Sequence, residues 1–264
     1  MTSVDGQLLD QLSRLGPSFA LSTHPAHSPV AEPWQPFGAL LCRPEVLSSR
    51  VAAVRGALAE ASGRRPEAVE QRVAASMTQL GLTARLMAPV LATAILTGTL
   101  VQLDPASLRW QPVLGPGFPL SIPSDALAGP GGTVTVVGTV LDGVAGLGKA
   151  RAAAELADAL AEELLAGPVG ALVQACGVYS LSPQVLWGNL ASALNGVASL
   201  VAAAEPGLAA RSWLITTRLL DQAPLRGRSR GGSGPAFTRL SCCLIYRLAP
   251  GPARPVCGDC VLRA

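Results

Sequence analysis

The chain has 264 residues, 49% of them hydrophobic and only 4% aromatic, so it is long enough to enclose a core of small aliphatic side chains. A formal net charge of +3 is too small to indicate a protein that binds nucleic acid through a basic surface. Seven arginines and a single acid, Asp259, lie between Arg226 and Arg263, which leaves a net charge of −3 on the rest of the chain.

The first sixty residues predict helices separated by an irregular arm. A short helix is expected over 8–15. Four prolines within 22–36 then forbid a long helix. Apolar residues at helical spacing predict the next helix over 44–60.

The pattern changes from helical to β-like near Thr97. Before it, a helix is expected to begin near Pro66 and to break at Gly81, and a buried helix then continues over 82–96. After it, β-branched runs divided by proline and glycine turns predict short strands over 99–103, 108–114 and 133–141.

The second half of the chain is again mostly helical. Ser182 followed by Pro183 is a typical helix start, with a capping side chain and proline at the first helical position. A glycine-rich loop over 226–235 separates the last helix from a predicted strand over 237–246. The predicted helices cover 149–165, 168–176, 182–204 and 208–220.

Two long uncharged stretches, 86–103 and 166–204, raise the question of a membrane span. Both contain proline, glycine and polar side chains, a composition typical of buried helices in an alanine-rich soluble protein. The N-terminal residues lack a basic stretch followed by an apolar run. We therefore expect no signal peptide and a cytoplasmic protein whose cysteines stay reduced.

Four of the six cysteines lie near the C-terminus, as an adjacent pair and a Cys-Gly-Asp-Cys motif, with thirteen residues between them. Four thiolates are the ligand set of a 2Fe-2S cluster. Adjacent side chains on an extended chain point to opposite faces, so binding one ion would need a sharp local turn. Two irons can be approached from more directions. The four residues are Cys242, Cys243, Cys257 and Cys260.

Three alternatives remain open at this point. A structural or regulatory zinc site would also use four thiolates, although such sites usually have two separated pairs. The Cys257–Cys260 motif alone could act as a redox dithiol. The glycine-rich run 143–150 approaches a phosphate-binding loop, but Ala150 stands where a hydroxyl would hold magnesium. Cys42 and Cys176 are interpreted as small buried hydrophobic residues.

The segment from Ser241 to Cys260 resembles the C-terminal signature of the FhuF-like siderophore-iron reductases. A stretch over 185–193, containing Leu-Trp-Gly-Asn, resembles a segment common in actinobacterial members, and 72–90 is similar to the family's N-terminal half. One departure is Leu240, where members often carry a second arginine before Ser-Cys-Cys.

The resemblance implies that Cys242, Cys243, Cys257 and Cys260 bind a 2Fe-2S cluster and that the protein is a bacterial ferric-siderophore reductase. One electron converts Fe(III) to Fe(II), which oxygen-rich siderophores hold far less tightly. The electron would come from a separate donor protein, because no flavin or nicotinamide fingerprint is present. Peripheral membrane association is a further expectation. Candidate substrate contacts are Trp187, Arg239 and Arg247.

Together these features predict a mostly helical α+β fold with a small β-sheet and a C-terminal cysteine-ligated cluster segment. We divide the chain into an N-terminal helix and irregular arm (1–36), a mainly helical body with a central β-like segment (37–225) and a cluster-binding segment (226–264). A zinc protein without catalytic activity is the alternative function.

Overall fold

The computed structural model describes residues 4–101, 103–127, 147–248 and 256–263, and it confirms a mostly helical α+β fold. The predicted helices near 44–60, 168–176, 182–204 and 208–220 are present with small shifts at their ends. The α-helices of the described residues are α1 (Val4–Arg14), α2 (Gly38–Cys42), α3 (Pro44–Ala61), α4 (Gln71–Thr97), α5 (Leu147–Leu165), α6 (Pro168–Cys176), α7 (Pro183–Ala204) and α8 (Ala209–Leu220).

Within the described ranges, two small sheets accompany the helices. Their strands are β1 (Ser22–His24), β2 (Gln35–Pro36), β3 (Arg109–Trp110), β4 (Leu120–Pro123), β5 (Ser229–Arg230) and β6 (Thr238–Arg239). The larger sheet has the order β1-β4-β3-β2, in which β1 and β4 are parallel and the other neighbours are antiparallel. The smaller sheet pairs β5 antiparallel with β6. The proline-rich arm therefore supplies two strands to the larger sheet.

Helix α4 lies in the centre of the core and packs most extensively against α7 and α3. Its buried positions extend from Val73 to Ile95 and surround most of its circumference. A helix that is apolar on nearly all sides is typical of the interior of a protein. Alanine is frequent in both α4 and α7, so small side chains make up much of the core, as the low aromatic content predicts.

Helices α4 and α7 are both long and apolar enough to cross a membrane by length and composition alone. However, 72% of the relevant window in α4 and 67% of that in α7 are buried inside the structure. Such burial is the ordinary situation of a core helix, and the two helices are weak evidence for membrane insertion.

The predicted helix break at Gly81 is wrong. A short 3-10 turn at Pro66–Ala68 precedes α4, which runs without interruption through Gly81 and ends at Gly98. A glycine inside a helix costs only about 1 kcal/mol, and the buried side chains on either side of it outweigh that cost. Gly98 adopts φ 76, the left-handed conformation with which helices commonly end.

The strand predictions are only partly confirmed. Within 108–114 only β3 is a strand, and 99–103 forms no regular strand in the residues that the structure describes. The predicted strand over 133–141 lies outside the described residues. The strand expected over 237–246 is reduced to β6, because the chain turns away after Arg239 to bring the cysteines against the helices.

Arg85 joins α4 to two distant segments from inside the core. Its side chain is buried, and its guanidinium donates to the carbonyl oxygens of Phe118 (2.8 Å), Ser18 (2.9 Å) and Ala20. Burial lowers the pKa of Arg85 to about 10, so the group stays charged at neutral pH. The three acceptors tie the N-terminal arm and the segment before β4 to the central helix.

We predict that Arg85→Met lowers the free energy of unfolding by about 3 kcal/mol, because one buried and two partly buried carbonyls lose their donor. Arg151→Met is the matched control, since Arg151 lies exposed on α5 and forms a surface ion pair with Glu155. Urea unfolding followed by circular dichroism measures both. Equal midpoints for the two variants would show that Arg85 is not a structural tie.

Candidate metal centre

The adjacent cysteines follow β6 and are turned by an unusual backbone conformation. Leu244, directly after Cys243, has φ 72, and the chain then enters a 3-10 turn at Ile245–Leu248. A left-handed leucine costs about 1–2 kcal/mol, so its surroundings must hold it there. The turn brings the Leu244 N–H within 3.3 Å of Cys242 Sγ. The adjacent pair therefore lies on the kind of sharp turn that binding of both cysteines to a single ion would require.

The second pair is built in a similar way. The backbone N–H of Cys260 donates to the carbonyl of Cys257 (3.2 Å), and the N–H of Leu262 donates to Cys260 Sγ (3.4 Å). The Arg239 N–H donates to the carbonyl of Asp259 (3.2 Å), which fastens this loop to β6. Each pair thus has one sulfur that accepts a hydrogen bond from the backbone two residues farther on.

The two cysteine pairs meet through one member of each. Cys243 Sγ and Cys257 Sγ are 3.8 Å apart. Cys243 and Cys260 are buried, whereas Cys242 and Cys257 are partly exposed. Within the described ranges, no three cysteine, histidine or acidic side chains converge closely enough to form a ready-made site for one metal ion. The cysteines therefore form a partly open group with one edge at the surface.

Arg239 lies between this group and the helical body. Its side chain has 0% exposure. Its Nη2 donates to Cys257 Sγ at 2.6 Å, and its Nη1 donates to Asn189 Oδ1 at 2.9 Å. Its Nε lies 3.8 Å from Asp259 Oδ1 and has no hydrogen-bond acceptor among the residues that the structure describes. Burial alone would lower the pKa of Arg239, but the cysteines and Asp259 together raise it.

Asn189 continues this contact into the helices. It is fully buried on α7, and its Nδ2 lies 2.9 Å from Gln79 Oε1, 3.0 Å from Ser76 Oγ and 3.2 Å from the Ser76 carbonyl. The Ser76 hydroxyl donates in turn to the carbonyl of Cys243 (2.9 Å). A continuous polar network therefore joins α4 and α7 to both cysteine pairs inside the core.

Gly188 explains how the cysteine segment comes so close to α7. A Cβ at this position would lie 2.0 Å from Ser241 Oγ and 3.3 Å from Ser241 Cβ. Ser241, directly before Cys242, can therefore pack against α7 only because residue 188 is glycine and has no Cβ.

The acid–base properties of the cysteines follow from this packing. The hydrogen bond with Cys257 lowers the pKa of Cys243 to about 7, with further help from Arg239 and against the effect of burial. The same hydrogen bond and burial raise the pKa of Cys257, so the two thiols share one proton as a pair. Burial raises the pKa of Cys242. Because metals bind thiolates, the lowered pKa of Cys243 favours its ligation.

The other residues singled out in the sequence lie in different surroundings. Trp187 is half-buried on α7 and packs against the core. Arg247 is 34% exposed, and its Nε donates to Glu70 at 2.6 Å. Arg239 contacts cysteine sulfur and has no contact with solvent. Cys42 is exposed, contrary to expectation, because it ends the short helix α2 at the surface, whereas Cys176 is buried as expected.

Residues 239–262 match a family model described as the FhuF 2Fe-2S C-terminal domain. The chain is FhuF-like in its C-terminal domain. Its cofactor is accordingly a 2Fe-2S cluster. The matched segment contains all four clustered cysteines and Arg239, but it does not extend into the helical body. No curated protein and no solved structure matches the chain.

The residues of this FhuF-like domain fit such a cluster chemically. Four thiols are present in two pairs, and backbone N–H groups already donate to two of the sulfurs. A buried guanidinium supplies positive charge beside them, and its Nε lacks an acceptor within the described part of the chain. Negative charge placed among these groups would therefore be compensated rather than buried alone.

We predict that Gly188→Ala lowers both the melting temperature and the iron bound after reconstitution, because the added methyl group collides with Ser241 Oγ. Adding Ser241→Ala should restore part of both, since only the looser 3.3 Å approach then remains. Gly196→Ala on the same helix is the control, because a Cβ there meets nothing within 4 Å. Failure of Gly188→Ala to differ from Gly196→Ala would contradict the close approach.

Proposed function

We propose that this protein is a cytoplasmic ferric-siderophore reductase and that Cys242, Cys243, Cys257 and Cys260 ligate its 2Fe-2S cluster. The match of residues 239–262 to the FhuF 2Fe-2S domain carries the proposal. When bound, the cluster supplies a carrier for a single electron. The reaction needs one electron per iron, which matches that capacity.

The surface around the cysteines suits electron exchange with a partner. Cys242 and Cys257 are partly exposed, and Gly258 is exposed between the two cysteines of the second pair. Leu240 and Leu262, each two positions from a cysteine, are 38% and 39% exposed. A small apolar margin of this kind lets another molecule approach the sulfurs closely without displacing charged side chains.

Charge near this edge favours an anionic partner. The exposed Arg263 donates through its guanidinium to the Gly258 carbonyl (2.8 Å) beside the partly exposed Cys257. The exposed Arg230 pairs in the small sheet with Thr238, one position before Arg239. Basic side chains at the rim would speed the approach of an acidic electron-donor protein or of an anionic ferric chelate. Trp187 and Arg247 remain the proposed chelate contacts. Arg239 is not part of this surface, because it is buried.

The electron balance of the proposed reaction is simple. A separate donor protein gives one electron, and the chelated Fe(III) accepts it to become Fe(II). No proton or covalent bond to the protein is required. The siderophore then releases the iron, because its hard oxygen ligands bind the smaller charge more weakly.

We predict two irons and two acid-labile sulfides per wild-type chain after anaerobic reconstitution, in keeping with a 2Fe-2S centre. Cys257→Ser should lose most of the sulfide and of the reddish-brown colour, since a sulfur ligand is removed. Cys42→Ser is the matched control, because Cys42 is exposed and far from the motif in sequence. Zinc without sulfide in the wild type would rule the cluster out, and a fully loaded Cys257→Ser would remove Cys257 from the ligand set.

We also predict that the loaded protein, reduced with one electron equivalent under argon, releases one Fe(II) per chain from a ferric trihydroxamate chelate. A bathophenanthroline trap measures the Fe(II), and visible absorption measures reoxidation of the protein. The gallium(III) chelate has the same shape but accepts no electron, so it should leave the protein reduced. Persistence of the reduced spectrum with the ferric chelate would contradict the proposed activity.

A further inference from the structure

We infer that Arg239, oriented by Asn189, is a positioning residue that raises the reduction potential of the cluster. The inference rests on the proposed ligation by Cys257, but not on which molecule accepts the electron. The contact concerned joins Arg239, inside the matched family segment, to Asn189, which lies outside it in the helical body.

The contact of Arg239 with sulfur is direct and geometrically defined. Nη2 and Nη1 are two nitrogens of one rigid planar group, so the Cys257 bond and the Asn189 bond fix each other's direction. A hydrogen bond from a charged donor to a thiolate is stronger than one between neutral groups. Hydrogen bonds to ligand sulfur are among the features that set the potential of iron–sulfur centres.

Burial makes this charge effective. Water does not screen a guanidinium with 0% exposure, so its Coulomb energy with nearby charge is larger than that of a surface arginine. Reduction adds one negative charge next to Arg239, and the attraction therefore stabilises the reduced state more than the oxidised state. Asp259, with Oδ1 3.8 Å from Nε, offsets part of this effect with its own negative charge.

Hydrogen-bond accounting fixes the orientation of Asn189. Gln79 donates through Nε2 to Thr83 Oγ1 (3.2 Å) and to the Leu186 carbonyl (3.3 Å), so its Oε1 must be the atom that faces Asn189. That oxygen and the Ser76 carbonyl can only accept, which requires the NH₂ group of Asn189 on their side. Asn189 Oδ1 is thereby directed at Arg239, and a flipped amide would leave buried groups without partners.

Arg247 provides a natural comparison. It lies in the same cysteine segment, four positions after Cys243, but it is 34% exposed and its Nε is paired with Glu70. Solvent and the carboxylate both reduce its influence on charge at the sulfurs. If any nearby arginine were sufficient, Arg247 would have an effect comparable to that of Arg239.

The test is a redox titration of the loaded protein followed by visible absorption, for wild type, Arg239→Met, Asn189→Ala and the double variant. We expect Arg239→Met to reduce the equilibrium constant for one-electron reduction at least tenfold, about 59 mV for a one-electron couple. Asn189→Ala should shift it in the same direction by less. The double variant should match Arg239→Met alone, because Asn189 acts through Arg239.

Two controls separate this role from general structural support. Arg247→Met and Asn195→Ala should leave the equilibrium constant for one-electron reduction within twofold of the wild-type value. Asn195 lies on α7 but binds the backbone of Gly234. A purely structural role would lower the melting temperature of the apoprotein and the iron content, but would leave the potential of the loaded fraction unchanged.

Every outcome of the titration decides the inference. An unchanged potential in Arg239→Met, or an equal shift in Arg247→Met, overturns it while leaving the ligand assignment intact. If Arg239→Met binds no iron, Arg239→Lys replaces it. In that case a reduction potential lower than that of the wild type supports the inference. Lysine keeps the positive charge but not the two fixed hydrogen-bond directions of the guanidinium. A wild-type potential in both Arg239→Lys and Asn189→Ala overturns it.

Discussion

A buried positive charge beside sulfur is the constraint on which the C-terminal segment depends. Removing a guanidinium from water is costly unless acceptors surround it, and Arg239 finds them in Cys257 and Asn189, with Asp259 at 3.8 Å. Its partners come from a helix and from a loop near the C-terminus, while Arg239 itself ends β6. The charge can be buried only once all three have assembled, so formation of the cysteine site is coupled to folding of the helical body.

Apolar packing and polar contacts make different contributions to this assembly. Leu248 joins a small apolar cluster with Ala59, Val69 and Val73, which draws the segment onto α3 and α4 without specifying its exact position. The hydrogen bond from Ser76 to the Cys243 carbonyl supplies the direction that burial alone does not provide. Together they hold the left-handed turn after the adjacent cysteines.

The helical body thus has a role beyond enclosing a core. It presents one face of α4 and α7 to the cysteine segment and keeps the opposite edge, with the partly exposed Cys242 and Cys257, at the surface. A one-electron carrier needs both properties, since buried partners tune its potential and a short path to the surface permits exchange. The proposed reductase activity is consistent with that division.

The sequence by itself determined the helices with clear start signals, the two cysteine pairs and, through the resemblance, the cofactor, because capping residues, proline and thiol spacing act over a few neighbouring positions. Two predictions from local sequence were wrong: a helix break at Gly81 and a strand that continues through the adjacent cysteines. At both places the burial of neighbouring side chains outweighs the local conformational preference. Only the tertiary structure decided what surrounds the sulfurs. Asn189 is 50 positions from Arg239 and 113 from Ser76, and no local pattern reports a contact between residues so far apart. The Leu-Trp-Gly-Asn stretch was visible in the sequence, but the roles of its residues were not. Only the packed helices show that its glycine makes room for Ser241 and that its asparagine orients the buried arginine.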